Sequence, residues 1–153
     1  MSSPDPEPGA RLTGSDAVAA LITTERGDYL LQLRDDKPEI WFPGHWGLFG
    51  GAVDAGETAE DALRRELREE IGYTPSRFGP FTSFTFDFQF IGRGPFYRIF
   101  YEVPLPSDRI GELVLGEGRE LRFFSPAEVL ALPRVVPYDA FALWLHIHRA
   151  RLA

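Results

Sequence analysis

The side chains best suited to chemistry in this chain are three glutamates, Glu66, Glu69 and Glu70. They lie between Thr58, a residue type that caps helix starts, and Gly72, a type that ends helices, so the segment predicts a helix of about four turns. At i, i+3 and i+4 the three carboxylates share one helix face and repel one another. A hard divalent cation that prefers oxygen ligands, such as Mg²⁺ or Mn²⁺, would relieve this repulsion.

The same helix also has a simpler interpretation, as a solvated surface helix with internal ion pairs. Arginines stand among the acids, and Arg65 has pairing spacing to Glu69. The opposite side of the helix favours a site, because an apolar stripe there would dock on a core and hold the acids against protein. That stripe consists of Ala59, Leu63, Leu67 and Ile71.

The spacing of the glycines, glutamates and arginine around this helix resembles the complete signature of the Nudix hydrolases. It reads Gly51, five residues, Glu57, seven residues, and then Arg-Glu-Leu-x-Glu-Glu-x-Gly ending at Gly72. Tyr73 stands where the family usually has an aliphatic residue, and Phe49 where many members have proline. Neither departure removes a ligand. The resemblance implies an α/β fold, an α/β/α sandwich with a mixed β-sheet and the signature loop and helix.

The resemblance also implies roles for the matching positions. The metal ligands would be Glu66, Glu69, Glu70 and the backbone carbonyl of Gly51, with Mg²⁺ as the cofactor and Mn²⁺ able to replace it. Glu57 and Arg65 would be structural partners of the site.

A further glutamate from a later loop is common in the family, as metal ligand or general base. The candidates are Glu117, which stands between two glycines, and Glu120, and we favour Glu117. The simpler interpretation for both is a solvated turn.

The chemistry that follows is attack of water on a phosphorus of a diphosphate linkage. Metal ions neutralise phosphate oxygens and make water more acidic, and a carboxylate accepts the proton. Glu66, Glu69 and Glu70 all remain candidates for this base, because they can titrate as one coupled cluster.

Composition narrows the class of protein. The 153 residues and 44% hydrophobic content predict one domain over residues 15–153, and residues 1–14, rich in serine, proline and acids, predict a disordered tail. A net charge of −7 argues against a nucleic-acid polymer as partner. The chain has no cysteine for disulfides, no apolar run of about 18 residues for a membrane span, and no apolar signal core, so we expect a cytoplasmic protein.

The flanking sequence predicts a mixed arrangement of strands and helices. Period-2 alternation is clearest where four phenylalanines alternate with polar residues from Phe84 to Phe90. The predicted strands are 17–24, 29–33, 84–90, 96–103 and 120–124, and a last helix is predicted over 138–151. By itself the pattern supports only a mixed α and β domain.

Substrate contacts are predicted from residue type. Trp41 and Phe42 could stack on a nucleobase, or else cover the core. Arg34 and Arg98 are the cations nominated for substrate phosphate, with a surface ion pair as the alternative for each.

The function predicted from these features is a metal-dependent pyrophosphohydrolase acting on a nucleoside diphosphate linked to another group. We favour a nucleoside triphosphate, including an oxidised or noncognate one, over ADP-ribose or a nucleotide sugar. A non-catalytic nucleotide sensor would tolerate the loss of an acid, and none is missing. An isomerase of the isopentenyl diphosphate type uses a cysteine, which this chain lacks. A homodimer would be a common family arrangement.

Overall fold

The computed structural model describes residues 16–153, so the predicted N-terminal tail lies outside the described residues. The elements in chain order are β1 (Ala17–Thr24), β2 (Tyr29–Leu33), β3 (Trp46–Gly47), β4 (Phe49–Ala52), α1 (Ala59–Ile71), β5 (Gly79–Phe88), β6 (Arg93–Leu105), β7 (Glu120–Phe124), α2 (Pro126–Ala131) and α3 (Pro137–Leu152).

Strand β1 is the centre of a mixed sheet. It pairs in parallel with β6 along its whole length, and antiparallel with β4 at its start and with β2 at its end. Strand β5 continues the sheet beyond β6, and β3 and β7 both pair with β2. The predicted mixed sheet is therefore confirmed.

Two hydrophobic cores lie on the two faces of this sheet. Because side chains alternate along a strand, Val18 and Ile22 of β1 point to one core, where they join Leu63 and Leu67 of α1. Leu21 points to the other core, which residues of α2 and α3 complete. The layered α/β/α arrangement follows directly, as predicted.

Helix α1 has the boundaries that its capping residues predict. Thr58 Oγ1 accepts a hydrogen bond from the Asp61 N–H at 3.1 Å, and Gly72 ends the helix in the left-handed conformation with φ of 66°. The acidic stretch is therefore held in one rigid element.

The phenylalanine-rich strand differs from its prediction. Strand β5 begins at Gly79 and ends at Phe88, and Phe90 lies in the following 3₁₀ turn with 80% of its surface exposed. The alternating pattern runs two residues beyond the end of β5, into the turn that Gly92, with φ of 78°, completes before β6. The side chain of Phe90 therefore has no part in the sheet.

Within residues 16–153, no helix is long and apolar enough to cross a membrane.

Candidate active site

Arg65 joins the loop between β4 and α1, which contains Glu57, to the acid face of helix α1. Its guanidinium donates to both carboxylate oxygens of Glu57, at 2.8 and 3.0 Å, and to the carbonyl of Ala52 at 3.0 Å. It also donates to Glu66 Oε1 at 2.9 Å and Glu69 Oε2 at 3.4 Å. Because a bidentate pair fixes both direction and distance, the loop and the acid face of the helix are held in one geometry.

Two glycines bring the backbone of β4 against the acids. Gly50 has φ of 148°, a conformation that other residues rarely adopt, and its N–H donates to Glu70 Oε2 at 3.1 Å. At Gly51 an added Cβ would lie 2.6 Å from the Glu66 carboxylate, so a side chain there would displace this carboxylate. The strand therefore packs directly on two of the three glutamates.

The three glutamates share a helix face but have different environments. Glu70 is only 4% exposed, the side chain of Glu66 is 14% exposed, and that of Glu69 is 52% exposed. Burial, together with the charge of Glu66, raises the pKa of Glu70 to about 9. Burial also raises the pKa of Glu66, against the opposing effect of Arg65.

The loop before β7 places Glu117 beside this cluster. The Gly116 N–H donates to the Glu70 carbonyl at 2.6 Å, and an added Cβ at Gly116 would collide with the Glu69 carbonyl. Burial is the largest cause of the raised pKa of both Glu66 and Glu70, and the negative charge of Glu117 is a smaller one.

Glu120 lies elsewhere. It is on β7, where its carboxylate accepts from Arg122 at 2.6 and 3.1 Å. Of the two loop candidates, the structure brings only Glu117 to the other acids.

The acid cluster fits a divalent cation by its chemistry. Within residues 16–153, no three His, Cys, Asp or Glu side chains are already arranged around one point as a metal site. Arg65 and the Gly50 N–H hold oxygens of Glu66 and Glu70 instead. All the donors are oxygens, as Mg²⁺ and Mn²⁺ prefer. Burial, and to a smaller extent the neighbouring carboxylates, raises the pKa of Glu66 and Glu70, so a bound cation would favour their ionised forms.

A cavity of about 610 Å³ adjoins the strand that contacts the acids, and this volume is within the range of small-molecule sites. The residues that line it include Gly50, Gly51, Trp41, Arg34 and Arg98. The Trp41 ring is held between two neighbours, with the Arg93 guanidinium 4.3 Å and the Phe96 ring 5.3 Å from its centroid. Arg34 Nε donates to the Trp41 carbonyl at 2.8 Å.

Phe42, by contrast, does not line this cavity. Its ring packs edge-on against Tyr138, Phe88 and His45, with centroids about 6 Å apart. The structure thus separates the two aromatic candidates, with Trp41 in the cavity wall and Phe42 in an aromatic cluster.

Arg98 makes an ion pair that is buried rather than on the surface. Its Nη2 donates to Asp139 Oδ1 at 3.1 Å, and Asp139 Oδ2 also accepts the Leu48 N–H at 3.0 Å. Burial raises the pKa of Asp139, whereas Arg98 lowers it. Asp139 was missed in the sequence analysis, although an acid beside the apolar face of the last helix, next to Ala142 and Leu143, was an available signal.

Comparison with known proteins agrees with this architecture. The family model of the NUDIX domain matches residues 14–145. Nucleoside triphosphatase NudI of Escherichia fergusonii is 49% identical over 55 residues, which are 36% of this chain and 38% of that protein.

Solved structures share the fold. The MutT protein of Methanosarcina mazei Go1 superposes with a TM-score of 0.73 at 23% identity, covering 90% of this chain and 94% of that one. The NUDIX domain of Shewanella oneidensis NrtR, solved with ADP ribose, gives 0.70 at 22% identity, covering 97% and 95%. At these identities the likeness shows the fold alone.

The chain belongs to the NUDIX domain family, as its resemblance predicted. The matched stretch spans well under half the length of the NudI relative.

Proposed function

We propose that this protein is a Nudix hydrolase that cleaves a phosphoric anhydride bond of a nucleotide, with a divalent cation as cofactor. The observation that carries the proposal is the position of the acid cluster. Glu66 and Glu70 pack on the backbone of Gly50 and Gly51, and the same two glycines line a cavity of about 610 Å³. An acid cluster and an aromatic cavity thus share one wall.

The residues that would hold the cation are Glu66, Glu69, Glu70, Glu117 and the carbonyl of Gly51. A bound Mg²⁺ or Mn²⁺ supplies neutralisation of phosphate charge and makes water more acidic. The chain's own contribution is to fix the acids, through Arg65 and Glu57, and to accept a proton from the attacking water at a carboxylate. Among the glutamates the identity of this base stays open, because Glu66 and Glu70 interact with each other and with Glu117.

The cavity supports a nucleotide as the substrate. Trp41 offers a ring, packed beside Phe96 and Arg93, on which a base can stack. Arg34 makes no ion pair among residues 16–153, so its charge is available to a phosphate. The name of the NudI relative, a nucleoside triphosphatase, favours a nucleoside triphosphate, including an oxidised or noncognate one, over ADP-ribose or a nucleotide sugar.

The proposal is tested by product release from a panel of nucleoside triphosphates, nucleotide sugars, ADP-ribose and dinucleoside polyphosphates, with Mg²⁺, Mn²⁺ or EDTA. We expect metal-dependent turnover of triphosphates with release of phosphate or pyrophosphate. Turnover confined to ADP-ribose or nucleotide sugars would overturn the substrate assignment. If no substrate is turned over but a nucleotide binds tightly in the presence of metal, the protein is a nucleotide sensor and not an enzyme.

We also infer a homodimer formed through the outer face of α3. Phe141, Trp144 and Leu152 are 48%, 45% and 57% exposed on this face, while Ala142 and Leu143 are buried on the other. A helix that is apolar on two sides is normally covered on both.

A second copy of this chain is the partner that fits the outer face of α3. The only acid in α3 is the buried Asp139, so two copies of a protein with a net charge of −7 can approach here with little repulsion. The N-terminal residues 1–15 do not suit the role, because Met1 and Leu12 are their only large apolar side chains.

The dimer is tested by light scattering after size exclusion. We expect the wild-type protein to have the mass of a dimer, and Trp144→Glu to have that of a monomer because a charge would be buried in the contact. Phe90→Glu, at an exposed aromatic outside this face, is the control and should remain dimeric. A monomeric wild-type protein, or a dimeric Trp144→Glu, would contradict the inference.

A further inference from the structure

The cavity of about 610 Å³ is lined by a row of paired residues at the start of β1. Ala17 pairs with Ala52 of β4 on one side and with Arg98 of β6 on the other, and all three line the cavity. Directly paired residues project from the same face of a sheet. Because the other two side chains are single methyl groups, Arg98 is the only long side chain of this row.

The guanidinium of Arg98 is held between two aromatic rings and a carboxylate. Its central carbon lies 4.8 Å from the ring centroid of Tyr138 and 5.5 Å from that of Phe100. Its Nη2 donates to Asp139 Oδ1 at 3.1 Å. Arg98 is only 7% exposed, so a ligand in the cavity meets hydrogen-bond donors that are already in position.

The hydrogen-bonding capacity of Arg98 is mostly unused. Of the three guanidinium nitrogens, only Nη2 has an acceptor within the part of the chain that the structure describes. Nε is enclosed without an acceptor, whereas Nη1 is not enclosed. Because unpaired donors on a buried cation are costly and Arg98 lines the cavity, its free donors point to a ligand that brings an acceptor.

A neutral acceptor suits Arg98 better than a phosphate does. Asp139 is 2% exposed and already balances the charge of the guanidinium, and its own charge would repel an anion. Arg98 also lies two strand spacings, about 10 Å, from Ala52, which follows the glycine that packs on Glu66. The phosphates would bind at that acid cluster, so Arg98 faces a more distant part of the nucleotide.

We propose that Arg98 selects nucleotides whose base carries a carbonyl group, namely those of guanine, hypoxanthine, uracil or thymine, over those of adenine and cytosine. The proposal rests on the proposed function, since it places the base in the cavity, where Trp41 offers a ring for stacking. A carbonyl oxygen accepts from the guanidinium. An exocyclic amino group presents its own N–H donors, so neither group gains a partner.

The test is kcat/KM in Mg²⁺ for two matched pairs of substrates, inosine triphosphate against ATP and UTP against CTP. Within each pair the exocyclic group changes from a carbonyl to an amino group and the adjacent ring nitrogen loses its hydrogen. We expect the wild-type protein to prefer the carbonyl member of each pair by at least about tenfold. In Arg98→Met combined with Asp139→Asn, the ratio should fall to within about threefold of one.

The double variant avoids an unpaired buried charge. Neutral replacement of both partners of a buried ion pair is often tolerated, and asparagine keeps an acceptor for the Leu48 N–H. Arg34→Met is the matched control, because it removes a cation from the same cavity and should lower kcat/KM for all four nucleotides with unchanged ratios. A purely structural role of Arg98 would likewise change all four alike.

The outcomes separate this inference from the proposed function. Equal or faster turnover of the amino member in either pair, or a double variant that keeps the wild-type ratios, overturns the selection by Arg98. If the double variant does not fold, Arg98→Lys decides, because it keeps the ion pair but lacks the guanidinium fork, and wild-type ratios in it overturn the inference. If none of the four nucleotides is hydrolysed, the proposed function fails, and ratios of Kd for the same pairs, measured by titration calorimetry, decide the inference by the same criteria.

Discussion

At the scale of single residues, the neighbours Trp41 and Phe42 show how adjacent aromatic side chains divide between function and packing. The ring of Trp41 lies in the cavity wall against Phe96 and Arg93. The ring of Phe42 packs among the aromatics beside α3. Residue type alone predicts the same role for both side chains, and only the fold distinguishes them.

This difference predicts opposite effects of two alanine substitutions. Trp41→Ala should raise KM about 5- to 150-fold with little change in kcat, because loss of base stacking removes about 1–3 kcal/mol of binding. Phe42→Ala should instead lower Tm, because it removes a ring from the aromatic cluster, and should leave KM nearly unchanged. Steady-state kinetics and thermal unfolding measure both effects, and equal KM values for Trp41→Ala and wild type would remove Trp41 from the site.

Glu70 is the residue with the largest consequence for pH dependence. Its pKa is about 9 in the folded protein, while an unfolded glutamate titrates near 4.3. Between pH 7 and pH 9 the folded state therefore holds a proton that the unfolded state has lost. The free energy of unfolding must then fall as pH rises, by up to about 1.4 kcal/mol per pH unit.

The prediction is a falling Tm from pH 7 to pH 9 in EDTA, and a much flatter profile in Glu70→Gln, whose amide is neutral. His146, whose pKa is lowered by burial, is largely neutral in both states in this range and acts only at lower pH. Thermal unfolding followed by circular dichroism measures the slope. Parallel profiles for wild type and Glu70→Gln would show that Glu70 is not the group responsible.

At the scale of elements, helix α1 could be predicted almost completely from the sequence, whereas its surroundings could not. The N-cap residue Thr58, the helix-ending Gly72 and the apolar stripe are local signals, and all three agree with the structure. The environments of the glutamates depend instead on how β4 and the loop before β7 pack on the helix, which the periodicity of the helix itself does not specify. The burial of Glu70 and of Asp139 therefore could not be predicted from local pattern.

The loop that carries Glu117 depends on Gly116, and this gives a prediction at the scale of the element. Gly116→Ala would place a Cβ against the Glu69 carbonyl, so the loop must move away from α1 and take Glu117 with it. We expect a lower Tm and a reduced kcat, measured by thermal unfolding and steady-state kinetics. Gly111→Ala, at a glycine where an added Cβ meets nothing within 4 Å, is the matched control. Identical behaviour of the two variants would exclude this role for the loop.

At the scale of the whole molecule, the fold joins two unlike surfaces in one site. The sheet places α1 and its acids on one face and α3 on the other, and the start of β1 lies between them. The acid cluster and the aromatic cavity meet there, at the strand that contains Gly50 and Gly51. The mixed sheet and its helix layers followed from sequence pattern and family resemblance. The meeting of acids and cavity required the pairing of β4 with β1, which no local pattern specifies.

The acid face of α1 is proposed to carry the hydrolysis of a phosphoric anhydride. The most direct test is the Mg²⁺-dependent turnover of a nucleoside triphosphate by Glu69→Gln and Glu70→Gln, with Glu60→Gln, an exposed glutamate near the start of the same helix, as control. We predict that both site variants lose at least about 100-fold in kcat while they keep the wild-type fold, and that the control turns over like wild type. Near wild-type turnover by Glu69→Gln and Glu70→Gln would contradict the account.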